Sequence, residues 1–191
     1  LTQNYSISYQ PCTLTVTQAE LAITVKADDA SKTYDGSALT KDSATLTEGT
    51  LATDDYLVNT VTGTITNAGT ETNTLSDVKV MHPAETEGGE PTDVTANYSI
   101  TKQNGELKIN PVTIVLTADS DSKVYDGTAL TKDSYQITTG AFVGEEGLAS
   151  VTVEGSQTLV GSSGNTITAH TLKEGTLTQN YSISYQPGTL T

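Results

Sequence analysis

The sequence predicts a mainly β protein made of two tandem small β domains arranged as an elongated rod. Three observations predict it. The first is a repeat: the segment from Lys32 to Ser43, with Tyr34-Asp35-Gly36 at its centre, returns from Lys123 to Ser134 around Tyr125-Asp126-Gly127. Asn4-Tyr5-Ser6-Ile7 likewise returns at Asn97–Ile100 and at Asn180–Ile183, and self-similarity of this kind marks a modular array. The second is alternation of apolar and polar residues in short runs, the period of a half-buried strand. The third is composition. Thr is the commonest side chain, Trp is absent, and there is one Phe against nine Tyr. Thr suits a pleated surface better than a helix, so each core must be thin and built from Val, Ile, Leu and Tyr.

The elements follow in order. Residues 1–18 read as the C-terminal hairpin of a preceding repeat. Tyr5, Ile7 and Tyr9 alternate, Gln10-Pro11-Cys12 turns the chain, and Leu14 and Val16 alternate on the return. Such a hairpin, with unpaired edges, is expected to pack on the next unit or to pair with another molecule. Residues 19–110 form the first repeat domain and residues 111–191 the second. Each opens with an alternating strand, Leu21-Ile23-Val25 or Val112-Ile114-Leu116. An acidic turn follows, then the Tyr-Asp-Gly element, read as a turn whose Tyr folds inward over the core while Asp-Gly reverses the chain. Ala38-Leu39-Thr40 and Ala129-Leu130-Thr131 are expected to start a further strand. Residues 51–57 suit a single helical turn capped by Thr53. Strands resume over 58–66 and 74–80 in the first domain, and over 151–159 and 166–172 in the second. Each domain is expected to close with an Asn-Tyr-Ser-Ile hairpin turned at Asn104-Gly105 or Pro187-Gly188, where Gly accepts a positive φ. The landmarks lie farther apart in the first domain, which places its extra residues in a Pro-, Gly- and Glu-rich surface loop at 82–93. Only Asn110-Pro111 join the two domains, and so stiff a joint limits bending.

Composition also excludes partners. A net charge of −14 argues against nucleic acid, which requires clustered Lys or Arg. No apolar run is long enough to insert in a membrane. Cys12 is the sole cysteine; it stands where the other copies have Gly105 and Gly188, and an exposed turn residue is its expected role. His82 and His170 occupy non-equivalent positions and have no evident partners, so both are expected to be solvated and the chain is not expected to be an enzyme.

Lys-x-Tyr-Asp-Gly near the start of a unit, with Asn-Tyr-Ser-Ile and Gly-Thr-Leu-Thr at its end, resembles the MBG and YDG-type tandem repeats of large bacterial cell-surface adhesins. The signature positions are Tyr34, Asp35 and Gly36, and Tyr125, Asp126 and Gly127. The resemblance covers nearly the whole chain. It implies a secreted, extracellular module on the bacterial cell surface or cell wall, either an Ig-like β-sandwich or a β-grasp variant with at most one short helix. It implies a structural stalk or spacer that projects a distal binding domain in cell adhesion, with neighbouring repeats of the same chain as partners. The alternative is a direct mucin- or glycan-binding module that takes a host ligand. Tyr5, Tyr9, Tyr181 and Tyr185 are the aromatic candidates for such a face, although their alternation also packs a core.

Two further chemistries belong to stalks of this kind. Calcium often stiffens joints between surface repeats; Asp119, Asp121 and Asp126 are the candidate ligands, but their spacing is unlike a calcium-loop motif and a solvated acidic turn is the expected reading. No cofactor is expected. An isopeptide bond would join Lys123 to Asn180 with Asp126 assisting, and Lys32 to Asn97 with Asp35 assisting. It would need the Lys in an apolar site that makes its amine nucleophilic. Against it, Lys-x-Tyr-Asp-Gly explains itself as turn chemistry.

Overall fold

The opening strand of each unit is central to one of two facing sheets, and its alternating side chains start the core. The structure, a computed structural model, describes residues 4–15 and 21–191. In the first unit β1 (Leu21–Ala27), β2 (Ala30–Thr33), β3 (Ala44–Glu48), β4 (Tyr56–Thr62), β5 (Gly69–His82), β6 (Thr92–Asp93), β7 (Tyr98–Gln103) and β8 (Gly105–Asn110) follow in order. One sheet has the order β3-β1-β7, with β1 antiparallel to β3 and parallel to β7. The other has the order β2-β8-β5-β4, with β6 paired to the end of β5. Ile23, Val25 and Ala27 of β1 meet Val61, Leu75, Val78 and Val80 of the opposite sheet, and Tyr98 closes the cluster.

The second unit repeats this plan with β9 (Val112–Ala118), β10 (Tyr135–Thr139), β11 (Leu148–Glu154), β12 (Ser163–Leu172), β13 (Tyr181–Gln186) and β14 (Gly188–Leu190). The sheets are β10-β9-β13 and β11-β12-β14. Where β2 lies in the first unit, Asp121 makes a parallel bridge to Leu190. The described strands therefore sort into sheets on either side of Pro111, with one topology written twice.

Several expectations are corrected. The closing segment is not a hairpin: β7 pairs with β1, whereas β8 pairs with β5 and β2, so the chain crosses between sheets at Asn104. Gly105 serves this crossing by close approach rather than by positive φ. A Cβ there would lie 2.5 Å from the Ala27 carbonyl oxygen and 2.7 Å from that of Asp28. Gly188 repeats the constraint, at 2.5 Å from both Ala118 and Asp119 carbonyl oxygens. Leu39 and Leu130 start no strand; each makes one antiparallel bridge, to Ile65 and Gln157. Residues 51–55 form a turn, with Asp54 at φ 67° and the Asp55 N–H bonded to the Ala52 carbonyl at 3.1 Å. The short helical segments lie elsewhere, as 3-10 turns at Thr95–Asn97 and Thr178–Asn180. In the hairpin expected over residues 1–18, residues 4–15 form no strand and are exposed throughout, and the remaining residues lie outside those described. The loop at 82–93 is a surface excursion, tied at its base by Met81 opposite Asp93 and His82 opposite Thr92.

Each unit also carries one fully buried amide that locks its opening turn. Asn73 donates to the carbonyls of Asp28 at 2.9 Å and Lys41 at 2.8 Å; Asn165 donates to those of Asp119 and Lys132, both at 2.8 Å. Four carbonyls that strand pairing leaves over thus find donors. The amide oxygens face Gly63 and Gly155, where a Cβ would intrude to 2.7 Å and 2.5 Å.

Candidate functional site

The two units meet through the Tyr-Asp-Gly element of the first. The Lys32 ammonium reaches Asp35 at 2.7 Å, and the Asp35 carboxylate also accepts the Ser37 N–H at 2.9 Å. Gly36 completes the reversal at φ 80°. Lys32 first, and then Ser37, hold the Asp35 carboxyl down at about 2. This turn fixes the backbone of Tyr34, whose N–H bonds the Asn110 carbonyl at 2.8 Å beside the linker.

Tyr34 therefore folds inward, but over the core of the second unit rather than its own. Together with Ile109 it belongs to the cluster of Ile114, Leu116, Ala118, Ile167 and Tyr181. Its ring meets Tyr181 edge to face, with centroids 5.8 Å apart and planes at 82°, the arrangement that ring quadrupoles favour. Phe142 also packs on Tyr181, with ring centroids 4.7 Å apart. The Tyr34 hydroxyl donates to Glu146 Oε1 at 2.8 Å, and the Tyr181 hydroxyl donates to Glu146 Oε2 while accepting the Val143 N–H at 2.9 Å. One carboxylate thus satisfies two buried phenols, one from each unit. Burial, and then the neighbouring Glu146, raise both phenols, with Tyr181 pushed up to about 12. Both remain neutral donors at ordinary pH.

An amide contact flanks the phenols. Asn180, fully buried, accepts the Ala68 N–H at 2.8 Å and donates to Asn67 Oδ1 at 3.1 Å. Leu39, Ile65 and Ala68 of the first unit pack against the second unit's core. A Cβ on Gly36 would reach Val143 at 3.1 Å, so the signature glycine is held by its partner as well as by its φ.

The first unit holds the same acceptor set at its other end. Tyr98 donates to Asp55 Oδ2 at 2.5 Å and accepts the Ala52 N–H at 2.9 Å, as Tyr181 does with Glu146 and Val143. The second carboxylate oxygen, which in the second unit receives Tyr34, here bonds His82 Nδ1 at 2.6 Å. Tyr98 first, and then His82, lower the Asp55 carboxyl. The expectation of solvated histidines is thereby corrected: His82 has Asp55, and His170 has the Tyr185 hydroxyl.

The other sequence candidates are not brought together as expected. Asp119 accepts Ser134 and Gln136, Asp121 accepts its neighbour's Ser122 N–H, and Asp126 accepts Lys123 and Thr128. No group of three metal-ligating side chains converges among the described residues. Lys123 pairs with Asp126 at 2.8 Å, and Lys32 with Asp35, while Asn180 is bonded at the junction and Asn97 is exposed. Each Lys and Asp thus meet, but neither Lys bonds its Asn. Of the proposed aromatic face, Tyr181 is core, Tyr185 is exposed with His170 against its ring, and Tyr5 and Tyr9 are exposed. Glu146 escaped the sequence reading because its partner Tyr34 lies in the other unit. The one signal was that Asp54-Asp55 and Glu145-Glu146 hold equivalent places.

Comparison with curated proteins and with solved structures returned no match. Comparison with family models matches residues 114–191 to the MBG domain of YGX type. That match spans the second unit, whose strand order and Tyr-Asp-Gly turn the first unit shares. The matched residues contain both Glu146 and the second Tyr-Asp-Gly turn, so the second unit is similar to the MBG domain family.

Proposed function

We propose that the chain is a length of stalk from a bacterial cell-surface adhesin, extracellular and anchored to the envelope, in which the units act as spacers that hold a distal binding domain away from the cell. The observation that carries this reading is Tyr34. One unit lends an aromatic ring and a hydroxyl to the next unit's core, through a joint whose linker is Pro111. Units joined in this way resist bending better than units on a loose tether, and resistance to bending is what a projecting rod requires. The acidic surface, at net charge −14, keeps neighbouring stalks apart and soluble. No catalytic step enters the reading.

A direct mucin- or glycan-binding role is the second reading. It is favoured by an apolar groove of about 470 Å³ beside the exposed Tyr125, since aromatic rings stack on sugars. The spacer reading accounts for that groove otherwise, because the first unit's equivalent face is covered by protein. An array of glycans and mucins probed with the 191-residue chain tests the choice. The spacer reading expects no saturable binding; saturable binding to any glycan class overturns it.

A further inference from the structure

The second unit carries, uncovered, the same face that the first unit uses to hold its neighbour. Its turn is built alike: Lys123 to Asp126 at 2.8 Å, Thr128 N–H to Asp126 at 2.9 Å, and Gly127 at φ 80°. Leu130 makes the bridge that Leu39 makes, and Gly161 at φ 144° matches Gly69 at φ 147°. Tyr125 is thus set in the place of Tyr34, yet it is 58 % exposed where Tyr34 is 7 % exposed. Around it Val124, Leu159 and Val160 are 89 %, 72 % and 88 % exposed, and with Leu130 they line the groove described above. Contiguous apolar residues left open in this way mark a docking surface.

We propose that this face seats a third β unit of the same fold, which supplies a carboxylate to the Tyr125 hydroxyl and an asparagine carbonyl to the Val160 N–H. The argument is continuity with the interface already present. Tyr34 finds Glu146, the Ala68 N–H finds Asn180, and Gly36 finds Val143; Tyr125, Val160 and Gly127 hold the matching positions. Because the Lys123–Asp126 turn is already formed, docking orders little that is not ordered beforehand. The face also differs in one informative way. Asn67, which accepts the Asn180 amide, is replaced by Leu159. The incoming asparagine amide therefore loses that acceptor, and Leu159 makes this joint more apolar than the first. The proposal rests on the series arrangement set out under the spacer reading and names the partner of this uncovered face.

The test is the full chain lengthened after Thr191 by a second copy of residues 109–191, which restores the Ile109-Asn110-Pro111 linker in register. Hydroxyl-radical footprinting then reads the solvent access of each tyrosine. The expected result is that labelling of Tyr125 falls to the level of Tyr34. It should return to that of the unlengthened chain when the added copy alone carries alanine at the position of Glu146 and Phe142. Tyr125 labelled as strongly in the lengthened chain as in the original, with Tyr34 still protected, overturns the proposal. The two readings fail separately: a glycan hit on the original chain defeats the spacer while leaving a protected Tyr125, and a clean array beside an accessible Tyr125 defeats only this proposal.

Discussion

Tyr34 and Tyr181, from different units, meet edge to face at 5.8 Å and end on the two oxygens of one carboxylate, that of Glu146. Each contact completes the other. The ring of Tyr34 covers Tyr181, and that cover makes the carboxylate hydrogen bonds worth more than they would be in water.

Truncating Tyr34 should uncouple the units. Tyr34→Ala removes the ring from the second unit's cluster and leaves Glu146 Oε1 without its phenol, at a cost of about 3–5 kcal/mol. Calorimetry should show one cooperative transition in the parent chain and two in the variant. Tyr34→Phe keeps the ring, loses about 1–2 kcal/mol with the hydroxyl, and should keep a single transition.

Glu146→Ala strands two buried phenols at once. Tyr34 and Tyr181 both lose their acceptor, although Tyr181 retains the Val143 N–H. The expected loss is about 2–4 kcal/mol in urea unfolding, larger than that of Tyr34→Phe because two donors lose partners rather than one. In the double variant with Tyr34→Phe the losses should not add, since both act on one network.

Stability should fall at alkaline pH through the same phenols. Burial raises Tyr181 to about 12 from its ordinary 10, and raises Tyr34 and Tyr98 in the same direction. The folded state keeps these protons after the unfolded state has released them. The contribution is therefore whole below about pH 10 and is lost as pH rises toward 12. Unfolding free energies measured from pH 9 to 12 should decline over that window. A flat profile would contradict it.

Gly188→Ala should destabilise the second unit by about 1–3 kcal/mol, because its Cβ must displace backbone carbonyls rather than a pliable side chain. Gly127→Ala has open space around it but sits at φ 80°, so its cost should be smaller, about 1 kcal/mol of backbone strain. Thermal melts of the two variants side by side check the order.

Asn165→Ala should cost about 1–3 kcal/mol, since it removes the donor shared by the Asp119 and Lys132 carbonyls. Hydrogen exchange should rise first at the neighbouring Asp119 N–H, which bonds Ser134, before the rest of the second unit opens.

The strand content and the doubling were legible along the chain. Ile114 and Leu116 alternate in β9 as Ile23 and Val25 do in β1, and alternation is a local property that survives any tertiary arrangement. Asp35-Gly36 announced its turn for the same reason, since the Lys32 and Ser37 bonds lie within a few residues. Gly105 was harder. Its sequence neighbours suggest a hairpin, whereas the constraint comes from the Ala27 and Asp28 carbonyls, far away in the chain.

What the sequence by itself determined is the repeat, its β character and the Lys-Tyr-Asp-Gly turn, because each is set by neighbours within one strand or one reversal. Only the tertiary structure decided that Tyr34 serves the second unit's core, that Glu146 joins two phenols, and that Tyr125, in a near copy of the same local sequence, stands open. The physical reason is that burial belongs to the surface a side chain meets. The tyrosine of this turn is core where another unit faces it and exposed where none does.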